Sequence, residues 1–342
     1  MGAVEQQSLK PANRNVAMFA TRRYSASDPD EYASLIRGGR VEVIVSQRGL
    51  FEASVTRVDL GELWMQRGRE SLPRTFRAVV AADRAFLLFL TSSQPPVNIL
   101  SSSIQCDDLA LLSPGEALCT RSIASCEWAG MSLPTEQFHR FGAILTGKDV
   151  LPRDVQRVLR PLQSRLASLR RLHRATVDLA ETGPEVLRHS DAARGLQQRL
   201  IEAAFDAVAD ADEEVSVPGH RRQRIMAQFE RLIEANPDRA LFLTEVCEAI
   251  GVTERTFRNC CQRDLGMSPI RYLSLRRLHQ ARWALRGADP ANTTVTEVAT
   301  RYGFWELGRF SGAYRELFQE SPSDTLRRPS GGRFHEKIAP SR

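Results

Sequence analysis

Arg255, Arg258 and Asn259 are spaced to share one side of a helix, with Phe257, Cys260 and Cys261 on the opposite side. A guanidinium can donate two hydrogen bonds to the edge of a guanine, and a carboxamide can both donate to and accept from an adenine, so this trio is equipped to read base edges. A second amphipathic segment carries Phe304, Phe310, Tyr314, Leu317 and Phe318 at helical spacings and turns Arg309 and Ser311 outward beside Leu307 and Gly308. That face holds one strong donor and one weak one, which suits affinity more than sequence discrimination. Arg301 and Arg315 are placed to reach phosphates, although Glu297, and Glu316 or Glu320, compete for them on the same helices. Trp305, at the start of the second segment, is expected to wedge into the edge of the core rather than to stack on a base.

Other chemistries find little support. The six histidines (His139, His173, His189, His220, His279, His335) are scattered, and none falls before Leu133, where a metal-binding barrel would need clustered His and carboxylate ligands. The six cysteines form no CxxC pair and no His/Cys spacing of a zinc site, so they are expected to be reduced thiols that pack as small core residues, Cys260 and Cys261 included. No glycine-rich phosphate loop is present. The expectation is no catalytic residue, no metal and no cofactor.

An internal repeat specifies the elements that must hold the readers. Thr244-Glu245-Val246 recurs as Thr296-Glu297-Val298, and Gly251 recurs as Gly303. Beyond the turn the register moves by one residue: Phe257 matches Phe310, Ser268-Pro269 matches Ser321-Pro322 and Leu273 matches Leu326. Each copy reads as an amphipathic helix, a glycine turn and a second amphipathic helix, after which serine caps and proline opens a third. Between the copies, Pro269 to Arg286 forms a joining helix with Leu275, Leu278, Ala281 and Leu285 on its packing face and Gly287 at its natural end. A repeated helix-turn-helix in a basic segment is the physical pattern of a DNA reader, with the first helix across the backbone and the second in the major groove. Residues 220–328 hold 18 Arg and 13 Asp or Glu, a net of +5, whereas residues 1–219 hold 26 basic and 27 acidic residues, a net of −1.

Residues 220–328 resemble the DNA-binding domain of the AraC/XylS family of bacterial transcription regulators. Leu243-Thr-Glu-Val-Cys-Glu-Ala-Ile-Gly251 is similar to the family's first motif. Val298-Ala-Thr-Arg-Tyr-Gly-Phe304 through Phe310, with Tyr314-Arg-Glu-Leu-Phe318 and Ser321-Pro322, is similar to its more distinctive second one. The Gly-Phe-Trp-x-Leu-Gly-x-Phe variant is similar to the XylS and ethanolamine-utilisation regulator branch. The resemblance covers about a third of the chain and implies that Arg255, Arg258 and Asn259 lie where the family reads bases. It further implies a β-rich first domain that binds a small-molecule effector of unidentified structure and alters how two DNA-binding domains of a homodimer meet promoter DNA, activating transcription through RNA polymerase.

The remaining sequence fits that arrangement. Short β-like runs occupy Val41–Ser46, Phe51–Leu60, Glu62–Gln66, Ala85–Thr91, Val97–Ile104 and Leu109–Leu112, separated by Gly, Pro, Ser and Asp, which suggests a sandwich or barrel, cupin-like in its general form. From Thr135 to Asp210 the period becomes helical. Val155, Leu159, Leu162, Leu166, Leu169 and Leu172 form a short heptad-like seam interrupted only by Pro161, and two readings stay open: a helix packed on its own domain, or a dimer seam. The expected division is a β-rich effector or dimerisation domain over 1–150, a helical segment over 151–212, a linker over 213–220, an all-α DNA-binding domain over 221–328 and a flexible tail over 329–342, an α+β multidomain chain. The longest apolar run, Ala85 to Leu90, is far short of a membrane span, and the N-terminus lacks the apolar centre of a signal peptide, so no membrane association and a cytoplasmic location are expected. Two other classes are open: a ligand-independent oligomeric DNA-binding protein, and a cupin-like enzyme fused to a DNA reader.

Overall fold

A computed structural model of the chain describes residues 19–39, 41–99, 102–151, 157–213, 220–236 and 239–328. The first part contains β1 (Phe19–Ala26), α1 (Pro29–Leu35), β2 (Val41–Val45), β3 (Ala53–Leu60), β4 (Leu63–Glu70), β5 (Arg74–Val79), β6 (Arg84–Leu90), β7 (Val97–Ile99), β8 (Ser102–Ile104), β9 (Leu109–Leu112), β10 (Ala117–Arg121) and β11 (Cys126–Pro134). These are followed by α2 (Thr135–Thr146), β12 (Arg157–Arg160), α3 (Gln163–Thr182), α4 (Ser190–Ala209) and β13 (Asp212–Glu213). One sheet runs β1-β3-β4-β11-β6-β9-β12-β13 and the other β2-β5-β10-β7-β8, with antiparallel pairing at each junction.

The continuous apolar run of β6 is explained by burial on both faces. Leu88 and Leu90 point between the sheets with Val43, Val45, Phe76 and Leu118, while Leu87 and Phe89 point the other way, under α3 and α4 with Leu166, Leu169, Leu200 and Phe205. The smaller sheet alternates too. On its outer face Ile44 and Cys119 enter a cluster with residues of the C-terminal region.

The heptad-like seam is not one helix. Leu159 lies in β12, opposite Leu109 of β9, and α3 begins only at Gln163. Pro161, which has no N–H to continue either a ladder or a helix, separates the two elements. Leu166 and Leu169 are buried in their own domain's core, whereas Leu162 is exposed. Val155, residues 214–219 of the expected linker and the 329–342 tail lie outside the described residues.

The C-terminal region is all helical: α5 (His220–Ala235), α6 (Leu243–Ile250), α7 (Glu254–Asp264), α8 (Pro269–Gly287), α9 (Val295–Arg301), α10 (Leu307–Phe318) and α11 (Pro322–Arg327). Gly251 and Gly303 adopt φ of +67° and +75°, a left-handed conformation that turns the chain between the helices of each motif at little cost for glycine. Thr253, Ser268 and Ser321 cap α7, α8 and α11 through their hydroxyls, and Ser321 forms a reciprocal capping box with Asp324. Tyr272 and Leu273 at the start of α8 belong to the first motif's core, while Leu278, Ala281 and Leu285 belong to the second's. One helix is thereby built into both cores.

Candidate nucleic-acid interface

Phe257, Cys260 and Cys261 are buried on α7, which leaves Arg255, Arg258 and Asn259 exposed on its other side. Burial pushes both thiols up from their ordinary value, so neither is a ready thiolate and both act as packing. Arg258 is held by Glu254 one turn earlier. On α10 Phe310 and Tyr314 are buried and Arg309 is exposed, with its guanidinium at 2.9 Å from Glu306, while Ser311 is half-buried. Both guanidinium groups are thus parked on acidic neighbours at the helix surface. Such exposed pairs contribute little, so a phosphate or base edge can displace the carboxylate at small cost.

The competition expected for Arg301 and Arg315 does not occur. Glu316 reaches Arg48 of the first domain, Glu320 is taken by Arg282 and Arg328, and no ion pair joins Arg301 to Glu297 among the described residues. Arg301 and Arg315 stay exposed. Trp305 also departs from expectation, being 79% exposed. The neighbouring aromatic takes the inner place: Phe304 packs at 4.9 Å from the Phe310 ring and shares the Arg277 guanidinium with Phe242. In the extended turn before α10, adjacent side chains diverge, so only one of the two rings can enter the core.

A second charged face lies on α8. Arg276, His279, Arg282 and Arg286 recur along α8 at spacings of three and four, the pattern of a solvated or DNA-facing stripe, yet they face the β-domain. Arg282 and Arg286 meet Asp28, and Arg276 Nε lies 3.3 Å from Glu42. Arg77 of β5 donates from Nε to Glu230 Oε2 of α5 at 2.6 Å, with both side chains almost wholly buried. Burial holds His279 neutral, with its pKa lowered to about 3 beside the Arg282 charge. A cue was available in the acids: Asp28 precedes Pro29 as a helix cap, and Glu42 alternates with Val41 and Val43 on a strand, so both positions are predictable and both are negative.

Behind this contact, between the two sheets, lies a cavity lined by Val41, Phe76, Ala78, Leu88 and Trp128, with Arg74 among its walls. Among the described residues no group of three or more His, Cys, Asp or Glu is placed to hold a metal, and no helix is long and apolar enough to cross a membrane.

Residues 246–328 match the family described as a helix-turn-helix domain. The chain is 41% identical over 95 residues to the probable thc operon regulatory protein of Rhodococcus erythropolis, covering 28% of this chain and 29% of the relative. It is 37% identical over 102 residues to the XylDLEGF operon transcriptional activator of Pseudomonas putida, covering 29% and 32%. The chain therefore spans about a third of the length of these curated relatives. A solved structure of a probable AraC family transcriptional regulator from Rhodopseudomonas palustris CGA009 is similar at 36% identity over 30% of this chain and 94% of that one, with a TM-score of 0.27.

Proposed function

We propose that this chain, whose residues 246–328 match a helix-turn-helix domain family, is a cytoplasmic, sequence-specific DNA-binding regulator of the AraC/XylS family that activates transcription with RNA polymerase, performs no catalysis, and responds to a small molecule held between its sheets. The observation that carries the DNA-binding part is the duplicated motif: two glycine-turned helix pairs, each with a buried aromatic side and exposed Arg on the other, joined by a helix built into both cores. Arg255, Arg258 and Asn259 read one box, and Arg309 and Ser311 read a second, less informative one. Arg301 and Arg315 anchor phosphates. The effector part is supported by the apolar cavity lying directly behind the sheet on which the DNA-binding domain rests.

Selection of random duplexes by the full-length protein tests the reading. A consensus of two short boxes is expected, with affinity that falls steeply as salt rises because several phosphate counterions are released. Recovery of unenriched sequence from a folded protein would refute specific recognition.

A further inference from the structure

The inner wall of the cavity offers hydrocarbon and no unspent charge. Arg74 faces it, but each of its three guanidinium nitrogens already has a partner: Nε donates to Glu70 Oε2 at 3.3 Å, Nη1 donates to Thr120 Oγ1 at 2.8 Å, and Nη2 lies 3.8 Å from Cys126 Sγ. Glu70 is equally committed, accepting from the Tyr32 hydroxyl at 2.9 Å and from Trp128 Nε1 at 2.9 Å, and it is completely buried. Burial pushes the Tyr32 hydroxyl up and the Cys126 thiol up to about 12, so neither supplies charge near neutrality. Arg37, also in the lining, is paired with Asp59 and lies 3.6 Å over the Trp64 ring. Among the described residues, none of the buried side-chain polar atoms left without a partner belongs to this lining.

We infer that the cavity takes an uncharged, predominantly apolar molecule, such as an aromatic or aliphatic hydrocarbon or its neutral alcohol, and rejects the corresponding carboxylate. This rests on the proposal that the cavity is the effector site. A carboxylate entering here must stay buried without a donor, draw Arg74 away from Glu70, which strands a second buried charge in its place, or take Arg37 from both Asp59 and the Trp64 ring. A hydrocarbon meets only complementary surface, and a single hydroxyl can share the Thr120 oxygen. Trp128 can present its ring to the cavity because it lies over Gly68, where an added Cβ would come within 2.2 Å of it. The strands that feel the ligand also hold the DNA-binding domain: Val41, Phe76 and Leu118 line the cavity, while their chain neighbours Glu42, Arg77 and Cys119 face α5 and α8 from the other side of the same layer.

Matched probes added to the full-length protein decide the matter: toluene against benzoate, and decan-1-ol against decanoate, read by thermal unfolding and by direct calorimetric titration. The expected result is saturable stabilisation by the neutral member of a pair, with binding at least about tenfold tighter than the carboxylate, since one buried unpaired charge costs more than that factor. The effect should vanish in Ala78→Phe, which fills the cavity, and Val97→Phe serves as a second filling variant should the first fold poorly. A carboxylate that binds as well as or better than its neutral partner overturns the inference and leaves the effector site standing. Failure of all four probes to bind the folded wild-type protein overturns both the inference and the effector reading, without touching the DNA-binding assignment.

Discussion

At the residue scale the two halves of the candidate interface separate by chemistry. Arg258 projects from the middle of α7 and can place two donors on one base, whereas Arg315 stands exposed near the end of α10. Arg258→Ala is therefore expected to relax preference at one or two base pairs at a cost of about 1–3 kcal/mol, while Arg315→Ala weakens all duplexes alike and reduces the salt slope by about one. Equal losses on selected and random DNA for Arg258→Ala would assign it to the backbone instead. The exposed Trp305 shows how a turn overrides residue preference. Phe304 fills the single inward position available before α10, and the larger ring is left in solvent.

At the scale of elements, α8 sets the geometry. Its 19 residues extend about 28 Å at 1.5 Å per residue, comparable with the roughly 34 Å of one DNA turn once the flanking motifs add their width. Because its N-terminal part lies in the first motif's core and its C-terminal part in the second's, α8 cannot slide or flex like a linker. Two boxes read about one turn apart are therefore expected. Inserting about 5 base pairs between them rotates the second groove to the far side of the duplex, so affinity should fall toward that of a single motif. Footprints that keep both boxes protected with undiminished affinity would show that the joining helix yields.

At the scale of the whole molecule, the β-domain and the helical domain are held by charges that ordinary domain surfaces keep in water. The Arg77–Glu230 pair is nearly inaccessible, the Glu230 charge raises the Arg77 pKa despite burial, and Ile44 and Cys119 complete the helical domain's core from outside it. The two domains should then unfold in one transition. Removing one partner of such a pair leaves the other charge buried and uncompensated, a loss of about 3–5 kcal/mol, so Arg77→Ala is expected to split urea unfolding into separate steps seen by far-ultraviolet circular dichroism and Trp fluorescence. Coincident transitions with an unchanged midpoint would mean that the interdomain pairs contribute nothing.

The repeat, its glycine turns and its Ser-Pro helix starts were legible from the chain because each depends on local backbone chemistry: a φ only glycine adopts easily, an N–H proline lacks, a hydroxyl that caps. The outward placement of Arg255, Arg258, Asn259 and Arg309 followed from helical period alone, and most strands before Leu112, though not β1 or β5, from short β-like runs set off by Gly, Pro, Ser and Asp. Beyond reach were the properties that depend on what lies opposite. Leu159 continued a heptad yet pairs with Leu109, since a four-residue stretch before Pro161 takes whichever partner the sheet edge offers. The Arg276-His279-Arg282-Arg286 stripe has the same pattern whether it faces DNA, water or the acids of another domain. Only the tertiary structure chose among them, by bringing Asp28 and Glu42, more than 200 positions away in the chain, against α8. Periodicity decides which side of an element a residue occupies. What that side meets is a property of the assembled chain.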